Sequence, residues 1–301
     1  MKDVKPTVKS SFHAYIYLFP AFLILGVFSF YPVVRSLLMG FTTIHWRTFE
    51  VTERGLHNFQ WLMGDERFAL ALRNTFMFVF GVVPASIAIS LVIAVLLNTK
   101  IKGAAVFRSI YFLPFVTSTI AIATVWSWIY NTNHGILNYF LGFFGVDPIR
   151  WVEHPDHAMT ALIIMSIWSS LGFNIVILLA GLQTVNKQLY LAAKVDGASS
   201  LKQFFSITIP MLSPSLFFVS VLGVINSFRV FAEVYALFAQ GQVATPGPAG
   251  SALTVVYFIY ERFFEMRQFG QASAAAVVLF VIIFIFTMIQ FWVGKKFVHY
   301  N

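Results

Sequence analysis

The sequence contains no cysteine, which excludes disulfides, thiolate metal centres and cysteine-based catalysis. Charge is nearly as scarce: 11% of residues are charged, where soluble domains carry about a quarter. No Gly-x-x-x-x-Gly-Lys-Ser/Thr loop occurs, so the chain has no phosphate cradle for a nucleotide. It also lacks a basic stripe with interleaved aromatics on a soluble domain, and no nucleic-acid partner is expected. No linker, low-complexity run or solenoid-period repeat divides it.

What is present instead is apolar. Hydrophobic residues make up 58% of the 301 positions, and phenylalanine alone occurs 35 times. A membrane span needs about 20 predominantly apolar residues to cross a hydrocarbon core roughly 30 Å thick. Runs of that kind fall at about 14–41, 75–98, 105–130, 158–181, 211–239 and 272–294. The expected fold is all-α: a polytopic membrane protein with six transmembrane helices, a membrane domain over 14–294, an amino tail over 1–13 and a carboxyl tail over 295–301. Pro20, Pro32, Pro84 and Pro114 lie inside spans and read as kinks, because neighbouring helices can satisfy the freed carbonyls. The first span is too long for a signal peptide and lacks a small-residue cleavage site, so it is expected to be retained.

Charge asymmetry orients the spans. The tails and the second and fourth loops hold 11 basic residues (Lys2, Lys5, Lys9, Lys100, Lys102, Arg108, Lys187, Lys194, Lys202, Lys295 and Lys296) against Asp3 and Asp196. The opposite side holds seven basic and nine acidic residues. The positive-inside rule then places both termini in the cytoplasm. Trp126, Trp128 and Tyr130, with Trp292, fit aromatic belts at the interfaces.

The longest cytoplasmic loop, 182–210, contains YLAAKVDGASSLKQFFSITIP. Good helix formers from Tyr190 to Val195 are followed by the Asp196-Gly197 stop and turn. Ser199 and Ser200 are candidate caps for a second short helix carrying Leu201, Phe204 and Phe205. Within the spans, polar residues are costly and mark a path or a packing contact. In the fifth span Asn226, Arg229 and Glu233 follow i, i+3, i+7 spacing, which places them on one helix face and lets Arg229 pair with Glu233. That face serves either to fix packing or to touch solute. In the fourth span Ser166, Ser170 and Asn174 form a stripe suited to interhelical hydrogen bonds. Arg35, near the outer end of the first span, is expected to snorkel. Glu153, His154, Asp156 and His157 crowd an outer loop, where Pro155 is expected to break any helix presenting both histidines together. No metal site and no catalytic residue is expected.

The loop string YLAAKVDGASSLKQFFSITIPMLSP resembles the cytoplasmic coupling loop of ATP-binding-cassette importer permeases, with Ala192-Ala193, Gly197, Ile207 and Pro210 at the signature positions. Asp196-Gly197-Ala198 is similar to the form of the carbohydrate branch, the maltose and glycerol-3-phosphate type. Leu191 stands where that signature has glutamate. Residues 56–75, 107–141, 228–237 and 257–274 also resemble sugar permeases, whereas 240–254 departs from their pattern. The resemblance implies a transport subunit, not an enzyme, located in the inner membrane and forming half of a translocation path. Its implied partners are a second homologous permease, two ATPase subunits that bind ATP and Mg, and an extracytoplasmic solute-binding protein delivering a sugar or related solute. This chain would bind no cofactor. Tyr190, Leu191, Ala192, Ala193, Asp196, Gly197 and Ala198 would contact the ATPase, and Asn174, Asn226, Arg229 and Glu233 are candidates for the path. The alternatives are a permease for peptides or amino acids and, from a different class, a self-sufficient secondary transporter or channel.

Overall fold

The computed structural model describes residues 8–45, 47–48, 50–99, 104–240 and 243–298. Lys2, Asp3, Lys5, Lys100 and Lys102 lie outside the described residues, as do the side chains of Lys9 and Arg108. The described chain is mostly helical and forms two compact units, residues 1–64 with 259–278 and residues 65–258 with 279–301.

The first unit begins with α1 (Val8–Leu25), which passes through a π-helical turn at Gly26–Phe30 into α2 (Tyr31–Gly40). The Tyr31 N–H reaches back five residues to the Gly26 carbonyl, the wider π-type bond, just before Pro32. The stretch Tyr15–Gly40 is long and apolar enough to cross a membrane, and none of its most apolar window is buried within the chain. A row of exposed Phe, Leu, Ile and Val of this length is at home in lipid or against another subunit. After α2 come β1 (Thr42–Ile44) and β2 (Val51–Arg54), an antiparallel pair in which Thr42 faces Arg54. Then α3 (His57–Gly64) follows, and Asn58 on it donates to the Gly40 and Thr42 carbonyls at 3.1 and 3.0 Å, closing the end of α2.

The second unit is built on α4 (Glu66–Leu97), α5 (Ala104–Val116), α6 (Thr119–Ile129), α7 (Ile136–Gly142) and α8 (Pro155–Thr184). Asp65 caps α4 by accepting from the Phe68 N–H at 2.7 Å. Pro84 lies within α4 without ending it. The α4–α8 contact is the most extensive in the unit, and its core includes Ala94, Leu97, Leu171, Ile175, Leu178, Leu179 and Leu182. α5 also packs on α8, so closely that a Cβ at Gly172 would collide with the Tyr111 carbonyl oxygen. α9 (Lys187–Val195), α10 (Ser200–Gln203), a π-helical turn at Phe204–Thr208 and α11 (Ile209–Met211) lead into α12 (Ser213–Phe228), followed by α13 (Ala232–Leu237). The short pair β3 (Ala239–Gln240) and β4 (Val243–Ala244) precedes α14 (Val255–Tyr260) and α15 (Phe269–Phe297), whose later turns belong to this unit.

Several sequence expectations change. Four helices qualify as single spans: Tyr15–Gly40, Glu66–Leu97, Pro155–Thr184 and Phe269–Phe297. The expected third span is a bent pair, Ser109–Val116 with Thr119–Ile129 at 110°; the expected fifth, 211–239, is α12 and α13 with a break between them, and its α12 forms a second bent pair with Ser200–Met211 at 66°, so the described residues hold four to six spans. Pro114 is therefore more than a kink, since the helix ends two residues later. Pro155 does not break a helix but starts α8, where its missing N–H costs nothing. Tyr130 is not an interfacial belt residue: it is fully buried, and its hydroxyl donates to the Ala161 carbonyl at 2.8 Å. The two small β-pairs qualify the all-α expectation.

Candidate functional site

Two helix interruptions in the second unit face one cavity of about 490 Å³. The first lies between α5 and α6. There Ser118 is extended, with φ −56° and ψ 131°, and the flanking Thr117 and Thr119 line the cavity. The Thr117 hydroxyl returns to the Leu113 carbonyl at 2.7 Å, satisfying an acceptor that the broken helix leaves open. The second interruption follows α12. Arg229 caps that helix, Phe231 sits at φ −145° and ψ −56°, and α13 restarts at Ala232. The Thr254 hydroxyl donates to the buried Val230 carbonyl, which the helix break leaves open, at 3.0 Å and also accepts the Tyr257 N–H at 3.4 Å. Non-helical backbone at membrane depth is tolerated where such partners exist or where it borders a cavity, and here both conditions hold.

The cavity collects all four residues that the sequence marks as candidates for the path: Asn174, Asn226, Arg229 and Glu233. Asn174 comes from the middle of α8, is buried, and turns its amide toward the Ser86 hydroxyl on α4 at 3.5 Å. Asn226 lies near the end of α12, Arg229 at its cap and Glu233 in the first turn of α13. The expected single face through Asn226, Arg229 and Glu233 is not formed, because the helix stops between Phe228 and Ala232. Nor is the expected i, i+4 ion pair made: no contact within 4.0 Å joins Arg229 to Glu233 among the described residues. The break exchanges a helical stripe for a common cavity wall. In the fourth-span stripe, Ser170 bonds its own helix at the Ile167 carbonyl, and the buried Ser166 hydroxyl has no partner among the described residues, so of the three Asn174 reaches another helix.

The sequence reading misses Thr117, Thr119 and Ser169, which also line the cavity. A signal is available in the run Pro114-Phe-Val-Thr-Ser-Thr, where β-branched and hydroxyl residues follow a proline and weaken the helix. Phe115, Phe173, Val82 and Val83 also line the cavity and supply apolar surface. The combination of one guanidinium, one carboxyl, amides and hydroxyls on an apolar shell suits a polar solute held by directional bonds.

The second candidate region is the loop after α8. Asn186 caps α9 by accepting from the Gln188 N–H at 2.9 Å. At the other end the Gly197 N–H bonds Lys194 O at 3.1 Å and the Ala198 N–H bonds Ala193 O at 2.8 Å, the paired pattern of a Schellman stop. Gly197 has φ +74°, which a side chain adopts only with strain. Ser199 caps the next helix through the Lys202 N–H at 3.3 Å, and the Gln203 amide donates to Ala198 O at 2.8 Å. The Tyr190 hydroxyl meets that of Thr208 at 3.0 Å, tying the two arms together. The second arm runs without a break from Ser200 to Met211 and meets α12 at a 66° bend. Of the seven residues marked as ATPase contacts, Tyr190 faces inward to this tie. Leu191 is 61% exposed, and Val195, one turn further on, is 89% exposed.

Known proteins share this architecture. A sequence profile described as "Binding-protein-dependent transport system inner membrane component" matches residues 67–299. The probable ABC transporter permease protein YesP of Bacillus subtilis is 34% identical over 304 residues, covering 100% of this chain and 96% of that protein. The arabinooligosaccharides transport system permease protein AraP of Halalkalibacterium halodurans is 33% identical, covering 94% and 88%. The trehalose/maltose transport system permease protein MalF of Thermococcus litoralis is 31% identical, covering 93% of each. In three dimensions the chain superimposes with a TM-score of 0.79 on a chain of a bacterial ABC transporter involved in import of the acidic polysaccharide alginate. That match has 21% identity and covers 96% of this chain and 97% of the other. With its helices, its two interruptions and its Schellman-stopped loop, the chain belongs to the family of inner-membrane components of binding-protein-dependent transport systems.

Proposed function

We propose that this chain is a permease subunit of an ATP-driven sugar importer, crossing the inner membrane six times with both termini cytoplasmic. The observation that carries the reading is the meeting of both helix interruptions on one polar-lined cavity. In this reading the bent pair within 109–129 is the third span, α12 with α13 is the fifth, and the cavity is this chain's share of the path. Asn174, Asn226, Arg229 and Glu233 supply donors and acceptors that replace water around a hydroxyl-rich solute. A sugar is favoured over a peptide or amino acid by relatives named for arabinooligosaccharides and for trehalose and maltose. A self-sufficient transporter is disfavoured because Glu233, the only carboxylate within the six apolar runs of the sequence, shares its cavity with Arg229.

The mechanism follows from where the rigid parts lie. An extracytoplasmic binding protein delivers solute to the cavity, and a second permease completes its wall. On the cytoplasmic side two ATPase subunits, holding ATP and Mg, grip one coupling helix on each permease. On this chain that helix is α9, whose apolar Leu191 and Val195 stand clear of the fold. The Tyr190–Thr208 tie makes α9 and the 200–211 arm move together, and the arm passes that motion into α12, at whose far end Arg229 lines the cavity. ATP binding shifts the path only if the ATPase grips the two states with different affinity. The test is uptake into proteoliposomes holding the complex purified with its co-expressed partners, using labelled oligosaccharides and amino acids. ATP-dependent sugar uptake is expected. Uptake of amino acids alone, or solute movement without the ATPase, would overturn the reading.

A further inference from the structure

We infer that the first unit carries a binding site for the phosphate headgroup of an anionic phospholipid, formed where α2 runs into the β1–β2 pair. A cleft of about 530 Å³ there is lined by Arg35 and Arg54 over an apolar floor that includes Leu38, Phe41, Phe263 and Phe269. Neither guanidinium has a hydrogen bond, ion pair or ring contact among the described residues, and no carboxylate lines the cleft. Glu53, the nearest acid in sequence to Arg54, points to the other face of β2 and lies 3.9 Å from His57. Two cations therefore converge on a concave apolar surface with no counterion among the described residues.

Depth argues for lipid. Arg35 lies five residues before the end of α2, or about 7.5 Å along a helix axis. Arg54 pairs in register with Thr42, two residues beyond that end. Both side chains thus sit at the end of a span whose preceding residues are exposed and apolar, the level at which headgroups meet acyl chains. A phosphodiester can accept from both guanidiniums, which present forked donors suited to phosphate oxygens. The acyl chain of the same molecule covers the Leu38 and Phe41 side. A free phosphate would leave the apolar floor bare, and an acidic protein surface would have to reach into a cleft at headgroup depth.

The test uses the full chain in a mild nonionic detergent, with bound lipid counted by native mass spectrometry. The probes are phosphatidylglycerol and phosphatidylcholine of identical acyl chains, and inorganic phosphate as competitor. A basic residue at an anionic lipid surface contributes about a fivefold factor, so the double variant Arg35→Gln with Arg54→Gln should retain roughly 25-fold less phosphatidylglycerol. Phosphatidylcholine, whose choline offsets the charge of the same phosphodiester, should lose far less, and an unchanged Tm reports that the variant is folded. Arg35→Lys with Arg54→Lys should recover most of the preference. Equal retention of the two lipids by the wild type would overturn the proposal, as would unaltered phosphatidylglycerol binding by the glutamine variant. Displacement of the lipid by inorganic phosphate at matched concentration would also overturn it, by assigning the site to free anions. Loss of solute-binding-protein association in the glutamine variant, with lipid retention intact, would assign the cleft to a protein contact and equally reject it.

Discussion

The second unit interrupts its helices at residues 196–199 and again at 229–231, and the two turns satisfy their backbone differently. In the first, every partner is local: Ala193 and Lys194 accept from Ala198 and Gly197, and Ser199 caps the next helix. In the second, the open Val230 carbonyl depends on the Thr254 hydroxyl, 24 positions away. A turn closed by its own residues can stand in water as a stiff handle. One closed from a distance holds only while the surrounding helices are assembled, and it leaves polar side chains facing the space between them. The difference matches the proposed roles, a grip for the ATPase and a wall for the solute.

Gly197→Val breaks the local turn and should have the largest effect. A β-branched residue forced to φ +74° costs about 1–3 kcal/mol, and the relief of that strain displaces the Ser200–Met211 arm. Membrane insertion should be normal and uptake lost. Wild-type uptake by reconstituted vesicles would show that the turn is not a rigid handle.

Leu191→Ser probes the outer surface of the same region without touching its turn. Fully burying a leucine is worth about 1.5–3 kcal/mol, so the ATPase should bind roughly ten- to hundredfold more weakly. Because the contact is apolar, moderate salt should leave the wild-type complex intact. Release of the ATPase by salt alone would contradict the assignment.

Thr254→Val tests the distant closure. Removing the hydroxyl leaves the Val230 carbonyl and the Tyr257 N–H without their partner, and a buried group so stranded costs about 1–3 kcal/mol. The purified complex should show a lower Tm, and the ATPase should bind as in the wild type. An unchanged Tm would mean that the second turn is held by its own residues, and the contrast between the two turns would fail.

The same physics decides what can be read from the sequence. The stop at Asp196-Gly197 and the cap at Ser199 are legible because turn residues act within a few positions of themselves. Apolar runs locate the spans because the bilayer imposes one length on each. The break after Phe228 is not legible, since it depends on a group supplied from elsewhere, Thr254, whereas the break after Val116 carries a local sign in Pro114 and the hydroxyls that follow it. Asn226, Arg229 and Glu233 do lie near one another, yet not for the reason their spacing suggests: they meet around a cavity because the helix ends, and not because it continues. Tyr130 escapes a sequence reading for a related reason, as its partner Ala161 lies 31 positions away and gives no local sign.

If the cavity at the helix breaks is where solute is sensed, its two charges must be needed for transport and not for assembly. Arg229→Met combined with Glu233→Gln removes both without leaving either one alone in a low-dielectric setting, so the complex should assemble with normal Tm. The measurement is ATP hydrolysis by the reconstituted complex with and without loaded binding protein. Wild-type basal hydrolysis is expected, with stimulation and uptake abolished, whereas stimulation and uptake at wild-type levels in an assembled double variant would contradict a solute-sensing cavity.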